Sequence, residues 1–512
     1  MSSVAASAAT DQPRPSRAEA RLYELWGEIR DLSAAFDLLD WDQETYMPEG
    51  GLEGRGKAGA TLAGLKHRLL TAPELADVLA ACAEEAAPGS VLAAQVRQAR
   101  LEVDRAAKIP ESLAKALAEA RSRGAGAWQK ARAAADFSLF EAELGELLAL
   151  RQEQAAHLLP GGKAYDAMLD NYEQGSTEAA LLPLFTSLVA ELKPLVRAVV
   201  DSGRKVDDSV TRGHFPAAAQ RELGLHAAQA FGFDFSRGRL DLSTHPFCLG
   251  LGSGDVRMTW RLEEGDFRPA LYGILHETGH GLYEQGLPAK WARTPLGEAA
   301  SLGIHESQSR FWENQVGRSR GFWRWLAPKF HQLFPDHPHG WEAIWPALHT
   351  IEPSLIRVEA DEGTYNLHIA LRFEIERKLL AGDLLVADLP GAWDDLYQDY
   401  LGVRASNAAD GVLQDIHWSQ GMFGYFPTYT LGTMTAAQLQ RAAAAALGDL
   451  EELFARGEMS VLLQWLREQI HQHGSFLSAA ELVEKATGRP LEARDLVEDL
   501  RRNAAEIYGV RG

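Results

Sequence analysis

The 512-residue sequence predicts a mainly α protein, one large helical body with a small antiparallel β-sheet beside it. Three observations lead there. Apolar positions recur at helical spacing over most of the chain, helix formers such as Ala, Leu, Glu and Arg fill the positions between, and one short stretch alternates with period two instead. Apolar residues make up 46% and charged residues 24% of the chain, which supports a sizeable core and excludes disorder or a collagen-like repeat as the governing class.

Taken in order, residues 1–17, MSSVAASAATDQPRPSR, are small and polar with Pro13 and Pro15, and read as a disordered tail. They lack the apolar stretch of a secretory signal. From residue 18 to about 234 the helical spacing, as in Leu22, Leu25, Trp26 and Ile29, continues almost unbroken. The groups around Pro48, Pro110 and Pro160 mark turns between helices rather than linkers. Residues 238–262 are the exception, because RLDLSTHPF and DVRMTWRL alternate about the turn-forming Gly252-Ser253-Gly254-Asp255, the pattern of a β-hairpin. Helices return near Pro269 and run to the C-terminus, with turns at Pro288, Pro335, Pro338, Pro353, Pro390 and Pro427. Without a fixed-period repeat or an evident boundary, residues 18–512 are expected to form a single helical domain.

Asp and Glu outnumber Lys and Arg by 71 to 51, and a net charge of -20 repels phosphate backbones, which argues against nucleic acid as a partner. No window approaches 18 consecutive apolar residues, so no membrane association is expected. The two cysteines, Cys82 and Cys248, form no CxxC pair, a usage that points to the reducing cytoplasm.

The chemistry concentrates at His276-Glu277-Thr278-Gly279-His280, an H-E-x-x-H motif. Two histidines four apart lie on one helix face and can reach one tetrahedral zinc. Roughly 0.04 chance matches are expected in a chain of this length, so context must support the motif. It does: Pro269 suits a first helical turn, Leu271, Ile274 and Leu275 form an apolar stripe, and Gly286 followed by Pro288 is a stop. Gly273, Gly279 and Gly281 each cost this helix about 1 kcal/mol relative to Ala and predict a closely packed backbone or a passage for substrate. A third ligand must come from elsewhere. Tyr283 and Gly286 stand where the longer metzincin pattern requires Gly and His, which excludes that pattern. The segment 294–318 opens with a cap-like Thr294-Pro295 and carries Glu298, His305, Glu306 and Glu313 on a predicted helix, and periodicity alone does not choose among them.

Further motifs follow in order: His245-Pro246-Phe247, Asp255-Val256-Arg257-Met258-Thr259, His305-Glu306-Ser307-Gln308, Ile356 with Arg357 through Asp361, and Gly411 through Gln414-Asp415 to His417-Trp418. Near the N-terminus, Leu39-Asp40-Trp41-Asp42 leads to Thr45-Tyr46-Met47-Pro48. With these the chain resembles the carboxypeptidase Taq family of zinc metallocarboxypeptidases over about residues 18–508. The resemblance makes Glu306 the third ligand beside His276 and His280, around one Zn2+ per chain that Co2+ could replace. It further implies a groove for peptide substrates, a fold related to angiotensin-converting enzyme and thimet oligopeptidase, a homodimer, and broad removal of C-terminal residues from unblocked peptides.

On that reading Glu277 is the general base for a metal-activated water. Tyr429, twelve residues after His417 in a loop resembling that of the related oligopeptidases, faces the oxyanion, with Tyr425 as its rival. His417 bonds a substrate carbonyl or the intermediate, and His245 either joins it or holds the hairpin against the metal helix. Arg257 and Arg357 are candidates for binding the terminal carboxylate bidentately, unless they pair internally with Asp255, Glu359 or Asp361. Asp361 and Asp415 are candidates for orienting the ligating histidines. Two rival readings stand beside this one. A zinc oligopeptidase or dipeptidase on the same scaffold would differ in its products, and a helical binding protein with a structural zinc would need a fourth ligand and leave Glu277 without a task.

Overall fold

In a computed structural model the apolar stripes resolve into twenty α-helices and one three-stranded sheet among the described residues, 15–510. Most of the tail expected over 1–17 lies outside the described residues; its last members already shape the fold, since the Ser16 hydroxyl accepts from Glu19 N and caps the Arg17–Thr45 helix. The turns at Pro48, Pro110 and Pro160 separate helices as expected, for instance Val91–Lys108 from Glu111–Ala134.

Three clusters of buried side chains hold the helices together. The N-terminal helices close a small one around Leu22, Trp26, Leu75 and Leu79. A second, with Phe231, Met258, Leu275, Trp312 and Trp323, joins the sheet to the Phe267–Gly286 helix that carries the H-E-x-x-H motif. The third, with Leu188, Leu371, Trp393, Trp418 and Phe426, gathers the helices Glu178–Asp201, Tyr365–Ala381 and the start of Pro427–Leu447. Each fully buried Leu or Phe in these clusters contributes about 1.5 to 3 kcal/mol. The helix Glu178–Asp201 is apolar and long enough to cross a membrane, a feature no run of consecutive apolar residues disclosed. Here Leu181, Phe185, Leu188 and Leu192 face the third cluster.

The sheet differs from the expected antiparallel one. Strands β1 (Gly238–Leu242), β2 (Cys248–Gly250) and β3 (Val256–Trp260) lie in the order β1-β3-β2. The hairpin around Gly252 joins β2 to β3 antiparallel, while β1 runs parallel to β3. The cause lies in residues 243–247. The hydroxyls of Ser243 and Thr259 are 2.7 Å apart, Phe247 N donates to Thr259 Oγ1 at 2.9 Å, and Pro246 has no N–H to offer a ladder, so the chain leaves β1, crosses β3 and returns on its far side. Alternation reports faces, not direction.

Two glycines set how closely the site helices approach. A Cβ on Gly279 would stand 2.5 Å from Gln308 O, and one on Gly432 would stand 2.5 Å from Glu306 Cγ. The short Leu302–Arg310 helix is therefore pressed between the metal helix and the Pro427–Leu447 helix, which brings Glu306 against the two histidines.

Candidate metal centre and active site

Asp266 caps the metal helix by accepting from Arg268 N, and Pro269 falls in its first turn. The Nε2 atoms of His276 and His280 are 3.2 Å apart, and Glu306 Oε2 lies 3.6 Å and 3.5 Å from them. A cation about 2.1 Å from each of three tetrahedral donors would set them about 3.4 Å apart, so the triangle fits one divalent ion. The helix carrying Glu306 begins later than Thr294. Ser301 caps it by accepting from Ile304 N, whereas Thr294 ends a preceding turn by donating to Trp291 O at 2.8 Å. Glu298 lies before this cap and pairs with Arg30 at 2.6 Å.

The two other candidate ligands orient the histidines instead. His276 Nδ1–H donates to Glu313 Oε2 at 2.8 Å. With His280 Nε2 facing His276 and Glu306, its Nδ1–H donates to His305 Nδ1 at 2.5 Å, and His305 Nε2–H donates to Glu284 Oε1 at 2.8 Å. Arg310 Nε donates to Glu306 Oε1 at 2.8 Å, and its Nη1 donates to Glu313. Glu284 and Arg310 escaped the sequence reading although each stands four residues after a candidate ligand, the helical spacing that makes neighbours. Asp361 has a different task from the one expected: it accepts backbone N–H groups from Glu352, Gly363 and Thr364.

Charge supplies a second test of the fit. Burial pushes the Glu277 carboxyl up to about 7, with Glu306 and Glu313 adding to the shift and His276 opposing it, and Glu277 Oε2 is buried without a hydrogen-bond partner. Burial alone would lower His276, but Glu306 and Glu313 outweigh it and raise it to about 9. Three carboxyls converge on a space where Arg310 pairs with two of them while Arg318 is shared between Glu313 and Glu362, and a dication would balance the charge that remains. Glu313→Ala should therefore loosen the metal roughly tenfold to a hundredfold, read by competition with a chromophoric chelator.

The opposite wall comes from the third cluster. His417 Nε2 and the Tyr429 hydroxyl are 3.3 Å apart, and the Tyr425 ring centroid lies 5.4 Å from both rings. Burial lifts Tyr425 to about 12 and Tyr429 well above its usual value, so both hydroxyls stay protonated at neutral pH, and the charge of Glu306 reaches both. Behind them Arg357 Nε and Arg372 Nε donate to Asp415 at 2.8 Å and 2.7 Å. Burial alone would raise Asp415; the two guanidinium groups outweigh it and hold its carboxyl far below the usual range. Two cations thus share one buried anion.

Burial also lowers His417 to about 3, against a partial opposing pull from Asp415. Because the folded state resists its protonation, stability is lost as pH falls below the ordinary histidine value. Between pH 7 and pH 5 the loss from this residue amounts to about 2 kcal/mol. Urea unfolding at the two pH values should show a difference smaller by about that amount in His417→Gln than in wild type.

Arg257 is occupied otherwise. It donates from Nε and Nη2 to Asp255 at 3.0 Å and 2.9 Å and stacks on Trp41 at 4.3 Å. Arg357 pairs with Asp415 rather than with Glu359 or Asp361, offers Nη1 to Tyr365 OH at 3.3 Å, and lies 5.3 Å from the Tyr429 ring. His245 is exposed, with its carbonyl accepting from Ser243, while its neighbour Pro246 meets the metal helix at Gly273.

A two-histidine, one-carboxylate triangle with a buried free carboxyl on the same helix is the arrangement of a metal-dependent peptidase. Residues 21–504 match the model of the carboxypeptidase Taq (M32) metallopeptidases, and the chain belongs to that family. Thermostable carboxypeptidase 1 of Thermus thermophilus is 44% identical, covering 97% of this chain and 100% of that protein. Carboxypeptidase 1 of Bacillus subtilis is 38% identical over 96% of this chain and 98% of its own length. The crystal structure of the M32 carboxypeptidase from Deinococcus radiodurans superposes with a TM-score of 0.93 at 39% identity, covering 97% of this chain and 100% of that one.

Proposed function

We propose that the chain is a zinc carboxypeptidase that removes C-terminal residues from unblocked peptides of varied sequence. The observation that carries this reading is the partnerless Glu277 carboxyl beside the His276, His280 and Glu306 triangle. Two imidazoles and one carboxylate suit zinc, with Co2+ able to stand in. When bound, the cation supplies Lewis acidity, polarising the scissile carbonyl and acidifying a water, and its charge keeps Glu277 ionised.

Glu277 takes the proton of the attacking water and passes it to the leaving amine. Tyr429 donates to the oxygen on which negative charge grows, with Tyr425 the alternative donor, and neutral His417 fixes the Tyr429 hydroxyl from behind. Arg357 is the better partner for a terminal carboxylate, since Asp415 is shared by two guanidinium groups and leaves positive charge uncompensated beside Tyr429. Arg257, by contrast, has Asp255 as a one-to-one counter-ion and stacks on Trp41, so its charge is already balanced. A structural zinc is disfavoured because the cluster offers three ligands and a spare carboxyl. A homodimer, inferred from the family likeness, and a cytoplasmic location, inferred from the free Cys82 and Cys248, complete the proposal.

The test compares peptides ending in a free acid with the same peptides ending in an amide, with and without chelator. Loss of the charge partner should lower kcat/KM roughly thirtyfold or more, with N-terminal acetylation having little effect. Arg357→Ala should shrink that preference and Arg257→Ala should preserve it. Equal rates on acid and amide would favour the oligopeptidase reading.

A further inference from the structure

One buried carboxyl has no part in the chemistry above. Glu376 lies on the Tyr365–Ala381 helix with no solvent exposure, and each of its three hydrogen bonds comes from a neutral donor. Trp418 Nε1 donates to Oε1 at 2.9 Å, Gly424 N donates to Oε2 at 2.9 Å, and Tyr165 OH donates to Oε2 at 3.1 Å. Burial pushes this carboxyl up to about 7, against the pull of the three donors and of Arg372. An apolar side chain would fill the same space without that penalty, so the group's place is explained by what its hydrogen bonds hold.

They hold the two ends of the loop that presents the catalytic aromatics. Trp418 follows His417, and Gly424 precedes Tyr425. Gly424 has φ +84°, and a Cβ there would meet Met168 C at 2.7 Å, so the turn is pressed onto the Ala164–Leu169 helix, which also supplies Tyr165. One carboxyl therefore ties three segments together, and the two loop contacts lie 42 and 48 residues from it in sequence. A carboxylate has two acceptor oxygens and so takes hydrogens from a backbone N–H and an indole at once, which the donor-only side chains of Arg or Lys at this position could not do.

We propose that Glu376 is a positioning residue of the hydrolytic site, fixing residues 417–425 so that His417, Tyr425 and Tyr429 meet the substrate in register. This rests on the reading that those three side chains act in hydrolysis. Glu376→Gln keeps the volume but leaves one acceptor oxygen and sets an NH2 group against a former donor. Trp418→Phe removes a donor from the other side and serves if the first variant folds poorly.

Both would be studied as full-length, metal-loaded enzyme, by hydrogen exchange and steady-state kinetics, with metal content and thermal midpoint recorded. The expected result is exchange over 417–425 roughly tenfold faster and kcat lower by roughly tenfold to a hundredfold, at unchanged metal content. A merely structural role would lower the thermal midpoint and leave kcat of the folded enzyme unchanged. Unchanged loop exchange, or faster exchange with unchanged kcat, would overturn the proposal. Tyr429→Phe and His417→Ala measured alongside separate the two failures: if they lower kcat while Glu376→Gln does not, the positioning role alone is lost, and if neither lowers kcat, the catalytic reading of the loop falls.

Discussion

Glu277→Gln is expected to bind metal as wild type does and to lose roughly a thousandfold or more in kcat/KM. The substitution preserves volume and leaves the triangle of His276, His280 and Glu306 untouched. It also breaks no bond made by Glu277 Oε2, which has no partner. Folding should therefore not suffer, and the thermal midpoint should hold or rise, because an ionisable group is removed from a buried place that disfavours its charge. A large loss of activity with intact metal and intact stability isolates proton transfer as the missing step. Elemental analysis, thermal unfolding and single-turnover hydrolysis on the same preparation decide the matter. An active variant would sink the assignment of Glu277 as base, and an inactive variant that had lost its metal would mean that Glu277 helps to hold the ion.

The helical body and the paired histidines were legible because both are local. Apolar residues three and four apart declare a helix, and His276 and His280 four apart declare a shared face. Direction and long-range contact are not local. Period two in residues 239–247 showed alternating faces, yet β1 runs parallel to β3 because Ser243, Pro246 and Thr259 carry the chain across the strand. Glu313, seven residues after Glu306, would share its face in a regular helix. The π turn at Phe311–Val316 changes that spacing, and Glu313 reaches His276 Nδ1 while Glu306 turns to Nε2. Arg257 and Arg357 have the same chemistry in the sequence. Only the shared Asp415 and the stacking on Trp41 distinguish them, and both depend on residues distant in the chain.

Tyr429→Phe should lower kcat by roughly a hundredfold with KM changed less than about twofold, as expected for a donor used mainly in the transition state. Phenylalanine keeps the ring that packs edge-on against Tyr365 at 6.3 Å and Tyr425 at 5.4 Å, so what disappears is the hydroxyl. That hydroxyl is protonated at working pH because burial lifts its pKa, and His417 Nε2 at 3.3 Å restricts where it points. A donor already oriented needs no reorganisation as the carbonyl oxygen gains charge, which is why its expected contribution is large. Tyr425 competes on one ground: the Glu306 charge acts on it as it does on Tyr429, so it too stands near the metal side. Its ring, however, is turned edge-on to Tyr172 at 5.1 Å, and no hydrogen bond to a histidine fixes it. Tyr425→Phe is accordingly expected to have a smaller effect on kcat. If Tyr425→Phe shows the hundredfold loss and Tyr429→Phe does not, the two roles exchange. If the double variant is no slower than Tyr429→Phe alone, the two hydroxyls act as one unit, with Tyr425 holding Tyr429 in place rather than meeting the oxyanion itself.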